Sequence, residues 1–379
     1  MSKLNLKKIK WKHYIGYIVV LAVLLYYGIS SVTSGLPSST LYMLEKLGIG
    51  VILALSLSLV VGFLGDLSLG HAGFMCVGAY LGGKLAVVLA PSLGNGPLLL
   101  ILCLLFGGLV SAAFGFIIGL PALRLNGDYL AIVTLAFGEI VKSVFLNSSS
   151  ESFGGPLGLA TPRFDKNELF IYAFGLILLT IMVIQNMMRS KHGRAITAVR
   201  DSEIAAKACG VNVTRYKLIV FAVSAFFAGV AGVLYSFSNY QVQSTKFGYN
   251  YSIEILVMVV LGGGHINGTM FSAALITFLN AKLATILTGD LAVLQNLVYA
   301  MILICLVIYN NAPALKPLRE KIAFRKVIGR IFRPKHDPSN IRDDENRWNR
   351  IPTKIQMDEV LSLQLTVEQE GPDRPGKEG

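Results

Sequence analysis

An all-α, polytopic membrane helical bundle of about ten transmembrane helices with glycine-rich breaks is the fold this sequence predicts. Three observations carry that expectation. The chain is 54% hydrophobic and only 15% charged, where a soluble domain holds about 25% charged residues. Its apolar residues fall into runs close to the roughly 20 residues that cross a hydrocarbon core in a helix. Its excess positive charge, formally +12, gathers in residues 3–12, 189–217 and 316–335, each beside an apolar run. Charge placed in that way sets topology and attracts anionic membrane lipid. It does not form the groove that a nucleic-acid partner needs. The 38 glycines suit helices packed closely in lipid.

In chain order, spans are expected near 14–36, 47–64, 74–90, 98–120, 129–146, 168–188, 218–238, 251–262, 269–288 and 292–310. Lys3, Lys7, Lys8, Lys10 and Lys12 hold a basic N-terminus, 1–13, in the cytoplasm. Six crossings then bring the chain back inside at 189–217, as its basic charge requires. The run 251–262 is too short to cross unaided. The basic stretch 316–335 nevertheless needs to be inside, so 251–262 counts as a short or broken span. The membrane domain is therefore 14–312, in a cell (cytoplasmic) membrane with both termini cytoplasmic. Residues 313–379 are polar and charged and are expected to form a disordered cytoplasmic tail. Residues 1–30 also have features of a signal peptide, but their apolar run exceeds the usual 7–15 or so residues, which favours an uncleaved first span. The largest external loop, 147–168, is too small to capture a solute by itself.

Two apolar stretches are interrupted alike, at VGFLGDLSLGHAGF (61–74) and VVLGGGHINGTMF (259–271). Unwound backbone at membrane depth survives only where protein or a wet cavity satisfies it, so paired breaks point to a translocation path. Candidate pathway or gate residues are Asp66, Gly70, His71 and Gly73 in the first break. Gly263, Gly264, His265 and Asn267 are their counterparts in the second. Tight turns between antiparallel spans would use the same residues. A third interruption, 120–142, has Pro121 to stop a helix, Asn126-Gly127 to turn, and Asp128 to cap the next helix. Glu139 and Lys142 sit three apart on one face and could pair. Intramembrane charges such as Glu139, Lys142, Glu254 and Lys282 are expensive and call for a role, although an interfacial position explains each one too.

The polar interval Arg189–Lys217 reads RSKHGRAITAVRDSEIAAKACGVNVTRYK. Within it, Asp201 to Cys209 has a helix's composition. Asp201 or Ser202 serves as cap, Glu203 suits the first turn, Ala205, Ala206 and Ala208 the interior, and Gly210 the stop. A short helix with small side chains outside the bilayer suits docking; a solvated connector has the same composition.

Covalent chemistry has no support. GAYLGGK (78–84) fits the start of a phosphate-binding loop, but Leu85 stands where Ser or Thr should bind magnesium, and the run is an apolar span. The five histidines and four cysteines show no ligand spacing. No enzyme activity, metal or cofactor is expected.

Taken together, GDLSLGHAGF (65–74), LRLNGDYLAIVTLAFGEI (123–140), GGPLGL (154–159), GRAITAVRDSEIAAKACGVNVTRYK (193–217) and VLGGGHINGTMFSAA (260–274) resemble the LivM-type permeases of branched-chain amino acid ABC importers. The likeness covers about residues 40–310, and related urea permeases share much of it. It implies a translocation pathway for leucine, isoleucine or valine. It also implies partners: a second, LivH-type permease, two LivG/LivF-type cytoplasmic ATPases, and an extracytoplasmic solute-binding protein. In such importers a permease helix with an E-A-A…G pattern docks on the ATPase. Glu203, Ala205, Ala206 and Gly210 match that pattern, with Ile204 intervening, and Arg200, Asp201 and Glu203 are placed to contact the ATPase. The tail beyond about 315 is longer than the resemblance implies. A gradient-driven secondary transporter is the competing class, and it leaves the cytoplasmic helix without a purpose.

Overall fold

A computed structural model describes residues 15–34, 37–122, 127–162, 164 and 166–286, with isolated positions at 300, 301 and 304. All of them belong to the first of two units into which the chain divides, Met1–Asn311. Apart from those isolated positions, the tenth expected span, 292–310, lies outside the described residues, as does the tail, 313–379.

The described chain is helical. The helices are α1 (Ile15–Ser34), α2 (Ser38–Ser58), α3 (His71–Leu93), α4 (Pro97–Ala122), α5 (Asp128–Leu146), α6 (Ser150–Phe153), α7 (Lys166–Arg189), α8 (Lys191–Asp201), α9 (Glu203–Ala208), α10 (Val213–Asn239), α11 (Tyr249–Leu261) and α12 (Ile266–Ile286). Among the described residues seven helices are long and apolar enough to cross a membrane. They cover the spans expected from 47–64 through 218–238, together with 269–288. α1 contributes a shorter apolar stretch, Gly16–Ser30, and α11 has 13 residues. At about 1.5 Å per residue α11 is roughly 20 Å long, too short for a 30 Å core.

At the centre, α10 packs against α4, α3 and α2, while α2 also carries α7 and α12. Glycine makes the α3–α4–α10 contact possible. A Cβ on Gly78 would come 2.3 Å from the Gly229 carbonyl oxygen, and one on Gly232 2.1 Å from that of Met75. Backbones therefore touch where side chains would hold them apart, the arrangement that favours helix association in lipid.

The expected 147–168 loop folds back onto the bundle. It contains α6 and a two-residue strand, β1 (Leu159–Ala160), which pairs antiparallel with β2 (Gln241–Val242) after α10. Thr161 Oγ1 donates to the Ser236 carbonyl, and Tyr80 Oη to that of Val242. The phosphate-loop lookalike at 78–84 is regular helix inside α3.

The helix expected over Asp201 to Cys209 is α9, and a further helix, α8, precedes it. Ser190 caps α8, its Oγ accepting from His192 N and Gly193 N. Asp201 ends α8, and extended Ser202 caps α9, its Oγ accepting from Ala205 N. α8 escaped the sequence reading because Gly193 lowers helix propensity. Its apolar stripe of Ile196 and Val199 is buried. Similarly, Gly127 occupies the cap position expected of Asp128, which is instead the first residue of α5.

Candidate functional site: the junction of the α8–α9 loop and the helix breaks

The two glycine-rich breaks differ in construction and touch each other. In the first, α2 loosens into a π-helical turn, Leu59–Leu64, and the chain has no regular structure until α3 begins at His71. In the second, α11 turns directly into α12. Gly262, Gly263 and Gly264 donate back to Met258, Val260 and Val259, and Gly263 and Gly264 take successive left-handed conformations. A Cβ on Gly62 would lie 2.3 Å from the Gly264 carbonyl oxygen. Only glycine permits that approach.

The loop between α7 and α10 grips this junction. Arg200, near the end of α8, lays its aliphatic stem on Gly65, where a Cβ would meet Arg200 Cγ at 2.7 Å. Its Nη1 donates to the Gly62 carbonyl at 3.4 Å, and its Nη2 pairs with Asp201 Oδ1 at 3.1 Å. Below it, Lys217 of α10 is almost fully buried. Its Nζ pairs with Asp66 Oδ2 at 3.2 Å and with Glu203 Oε1 of α9. One ammonium thus joins the first break, α9 and the central helix. Burial raises the Asp66 carboxyl above its ordinary range and outweighs the Lys217 ammonium beside it.

Farther along the first break, buried His71 Nε2 lies 2.7 Å from Ser56 Oγ, and the Ser56 carbonyl accepts from Ser224 Oγ of α10. The Ala72 N–H donates to Ser252 Oγ of α11. Leu69 N donates to Thr134 Oγ1, and a Cβ on Gly70 would strike the Thr134 carbonyl. Gly73 faces Gly138 across the same α3–α5 contact. Gly264 thus meets the first break at Gly62, whereas Asp66 pairs with Lys217, His71 lies against Ser56, and Gly70 and Gly73 pack on α5. His265, by contrast, is exposed, and Asn267 lies beside Gly16 of α1. Glu139 sits apart from this junction: it pairs with Lys142 at 2.8 Å and accepts from the Tyr249 N–H that opens α11.

On α9, Ala206 is buried, whereas Ile204 is 83% exposed and Ala205 is exposed. Glu203 is turned toward Lys217. Gly210 closes α9 in the left-handed conformation, φ +79°, with Val211 N donating to the Ala206 carbonyl. Sequence reasoning missed Lys217, Ser56 and Gly62. Opposite charges at Asp66 and Lys217, both assigned to the cytoplasmic side, were the only signal that could have paired them.

Comparison with known proteins now bears on this arrangement. The family described as "Branched-chain amino acid transport system / permease component" matches residues 39–307. The chain belongs to that family. Its relatives include the high-affinity branched-chain amino acid transport system permease protein LivM of Salmonella typhimurium, 38% identical over 245 residues. That alignment covers 56% of this chain and 56% of the relative, so the chain spans little more than half of that protein's length. LivM of Escherichia coli K12 is 35% identical over 303 residues, covering 72% of this chain and 67% of the relative. The ribose import permease protein RbsC of Escherichia coli K12 is 25% identical over 71% of this chain and 84% of its own length. Membership of the permease family therefore brings in relatives named for different solutes. No solved structure matches the chain. The family match includes both breaks and the whole of α8–α9, so the junction lies in the part of the chain the family has in common.

Proposed function

We propose that this chain is the non-catalytic permease subunit of an ABC importer for branched-chain amino acids, and that the α8–α9 segment carries the stroke of partner ATPases into the bundle. The observation that supports it most directly is the grip of Arg200 and Lys217 on the first break. A force applied to α9 reaches Asp66 through Glu203 and Lys217, and Gly62 through Arg200. In this reading the exposed Ile204–Ala205 tip enters the ATPase, while Glu203 works inward as a strut. Gly210 lets the chain return to α10. The junction of the two breaks is the element that rearranges when the membrane bundle changes the side on which it opens. The remaining partners are a second, LivH-type permease and an extracytoplasmic binding protein that delivers leucine, isoleucine or valine. The membrane is the cell membrane, with α8–α9 in the cytoplasm.

The test is Ile204→Asp. An apolar tip that docks in a protein groove cannot accept a carboxylate, whereas a solvated connector can, since Ile204 touches so little of its own chain. Expected is loss of ATPase co-purification and at least a tenfold fall in binding-protein-dependent leucine uptake, with insertion and thermal stability unchanged. Wild-type co-purification and uptake in this variant defeat the assignment.

A further inference from the structure

A cavity of about 390 Å³ opens between α2, α10, α11 and α12, beside the turn Ser244–Phe247. It reaches from the second break, whose Gly262 N–H is accepted by the Met258 carbonyl on its wall, toward the other end of the bundle. Tyr235, on its wall, is eighteen residues beyond Lys217 on α10, or about 27 Å along the axis at 1.5 Å per residue. Its size lies within the roughly 300–1,000 Å³ of small-molecule sites. Its lining is unusual for a hole in a membrane bundle, because it carries both signs of charge. Lys46 of α2 and Lys246 of the turn supply two ammonium groups, and Glu254 of α11 supplies a carboxylate, held by Asn280 Nδ2 donating to Oε1 at 3.0 Å. Ile49, Phe247 and Met258 give it apolar walls.

Charge inside a membrane bundle is costly enough to indicate a pathway, and three charges on one cavity wall repeat that indication. Lys46 lies over the ring of Tyr42, its Nζ 4.5 Å from the centroid, so its ammonium is steered by an aromatic face rather than by a carboxylate partner there. Asn280 fixes Glu254 from one side. Thr277 Oγ1, also on the wall, is buried without a hydrogen-bond partner and lies against Gly50, where a Cβ would come within 2.5 Å.

The geometry points to a solute subsite for a free α-amino acid with an aliphatic side chain: the ligand's ammonium at Glu254, its carboxylate at Lys46 and Lys246, and its hydrocarbon against Ile49, Phe247 and Met258. A zwitterion matches the mixed charge, and a plain anion or cation matches only half of it. The inference rests on the transport reading above and adds to it a site at the end of the bundle opposite the ATPase contact, where a delivered solute arrives. α2 and α10 each touch both places, which gives the junction a mechanical route to the site.

The experiment uses the complete transporter isolated through a tag on this chain and reconstituted in vesicles, with leucine uptake measured at saturating loaded binding protein. Glu254→Gln and Lys46→Met are expected to lower uptake at least tenfold while ATPases and binding protein still associate. Lys282→Met, on α12 but off the cavity wall, is expected to leave uptake unchanged. A small substitution guards against misfolding: Ala281→Cys, in a background lacking the native cysteines, should react with a thiol reagent and be protected by leucine but not by urea or ribose. Undiminished uptake in both charge variants, or labelling of Ala281→Cys that leucine does not slow, overturns the site. Wild-type vesicles that fail to take up leucine at all overturn the transport reading instead.

Discussion

Lys217 holds two carboxylates at once, and removing it leaves Asp66 and Glu203 facing each other without a counter-charge. Breaking a buried pair from one side costs about 3–5 kcal/mol, so Lys217→Met should lower thermal stability in detergent sharply. Glu203→Gln leaves the Lys217–Asp66 pair intact and removes a side chain that is 31% exposed, so its cost should be nearer the roughly 1 kcal/mol of a surface pair. Equal losses in the two variants exclude Lys217 as the hub. Asp66 adds a pH signature. Its carboxyl is raised above the ordinary 3.8, so the folded chain binds that proton more tightly than the unfolded chain. The stability this contributes is complete below 3.8 and is lost as pH rises through the folded value. Asp66→Asn removes that titration. Its melting temperature relative to wild type should therefore climb with pH across this window and then level off. A difference that shrinks with pH means that attraction to Lys217, not burial, dominates the site.

Between helices the deciding feature is backbone contact. The α3–α10 approach at Gly232 leaves no room for a methyl group, while Gly175 of α7 has nothing within 4 Å of where its Cβ would stand. Gly232→Ala should destabilise by about 1–3 kcal/mol through overpacking. Gly175→Ala should stabilise by about 0.5–1 kcal/mol, because alanine loses less backbone entropy in a helix. Thermal unfolding of both in one detergent separates the two, and a Gly232→Ala melt as high as wild type removes the close contact. This seam was not legible beforehand. Glycine occurs 38 times, and nothing local marks Gly78, Gly229 and Gly232 as partners until α3 and α10 are known to lie together. The spans themselves were legible, since apolar length is a local property. So were the breaks, through glycine and a polar residue inside apolar runs, but composition could not distinguish the π-helical loosening at Leu59–Leu64 from the turn at Gly262–Gly264. The Ser202 cap and Gly210 stop of α9 were visible for the same local reason. The inward turn of Glu203 depends on Lys217, fourteen residues away on another helix, and no periodicity reports it.

At the scale of the molecule, two ends with different chemistry are joined by the same helices. α2 carries Gly62 under Arg200 and Lys46 in the cavity; α10 carries Lys217 at one end and Tyr235 at the other. A transporter that exposes its site alternately needs such members, because packed cores pass on discrete displacements rather than absorb them. The arrangement only works if the two ends lie on opposite sides of the bilayer, and that orientation can be tested without reference to transport. Cys209 is exposed and would report by itself, while Cys76 and Cys103 are buried. In a background with Cys209→Ser and Cys305→Ser, a cysteine at Glu151, in the loop next to α6, should react with an impermeant thiol reagent added to intact cells. One at Ser202, the cap of α9, should react only after the membrane is opened. The basic residues of 189–217 demand this order, since positive loops resist translocation. Labelling of Ser202→Cys from outside would put α9 beyond the reach of any cytoplasmic ATPase. The Arg200–Lys217 grip would then be a structural fastening with no motor attached to it.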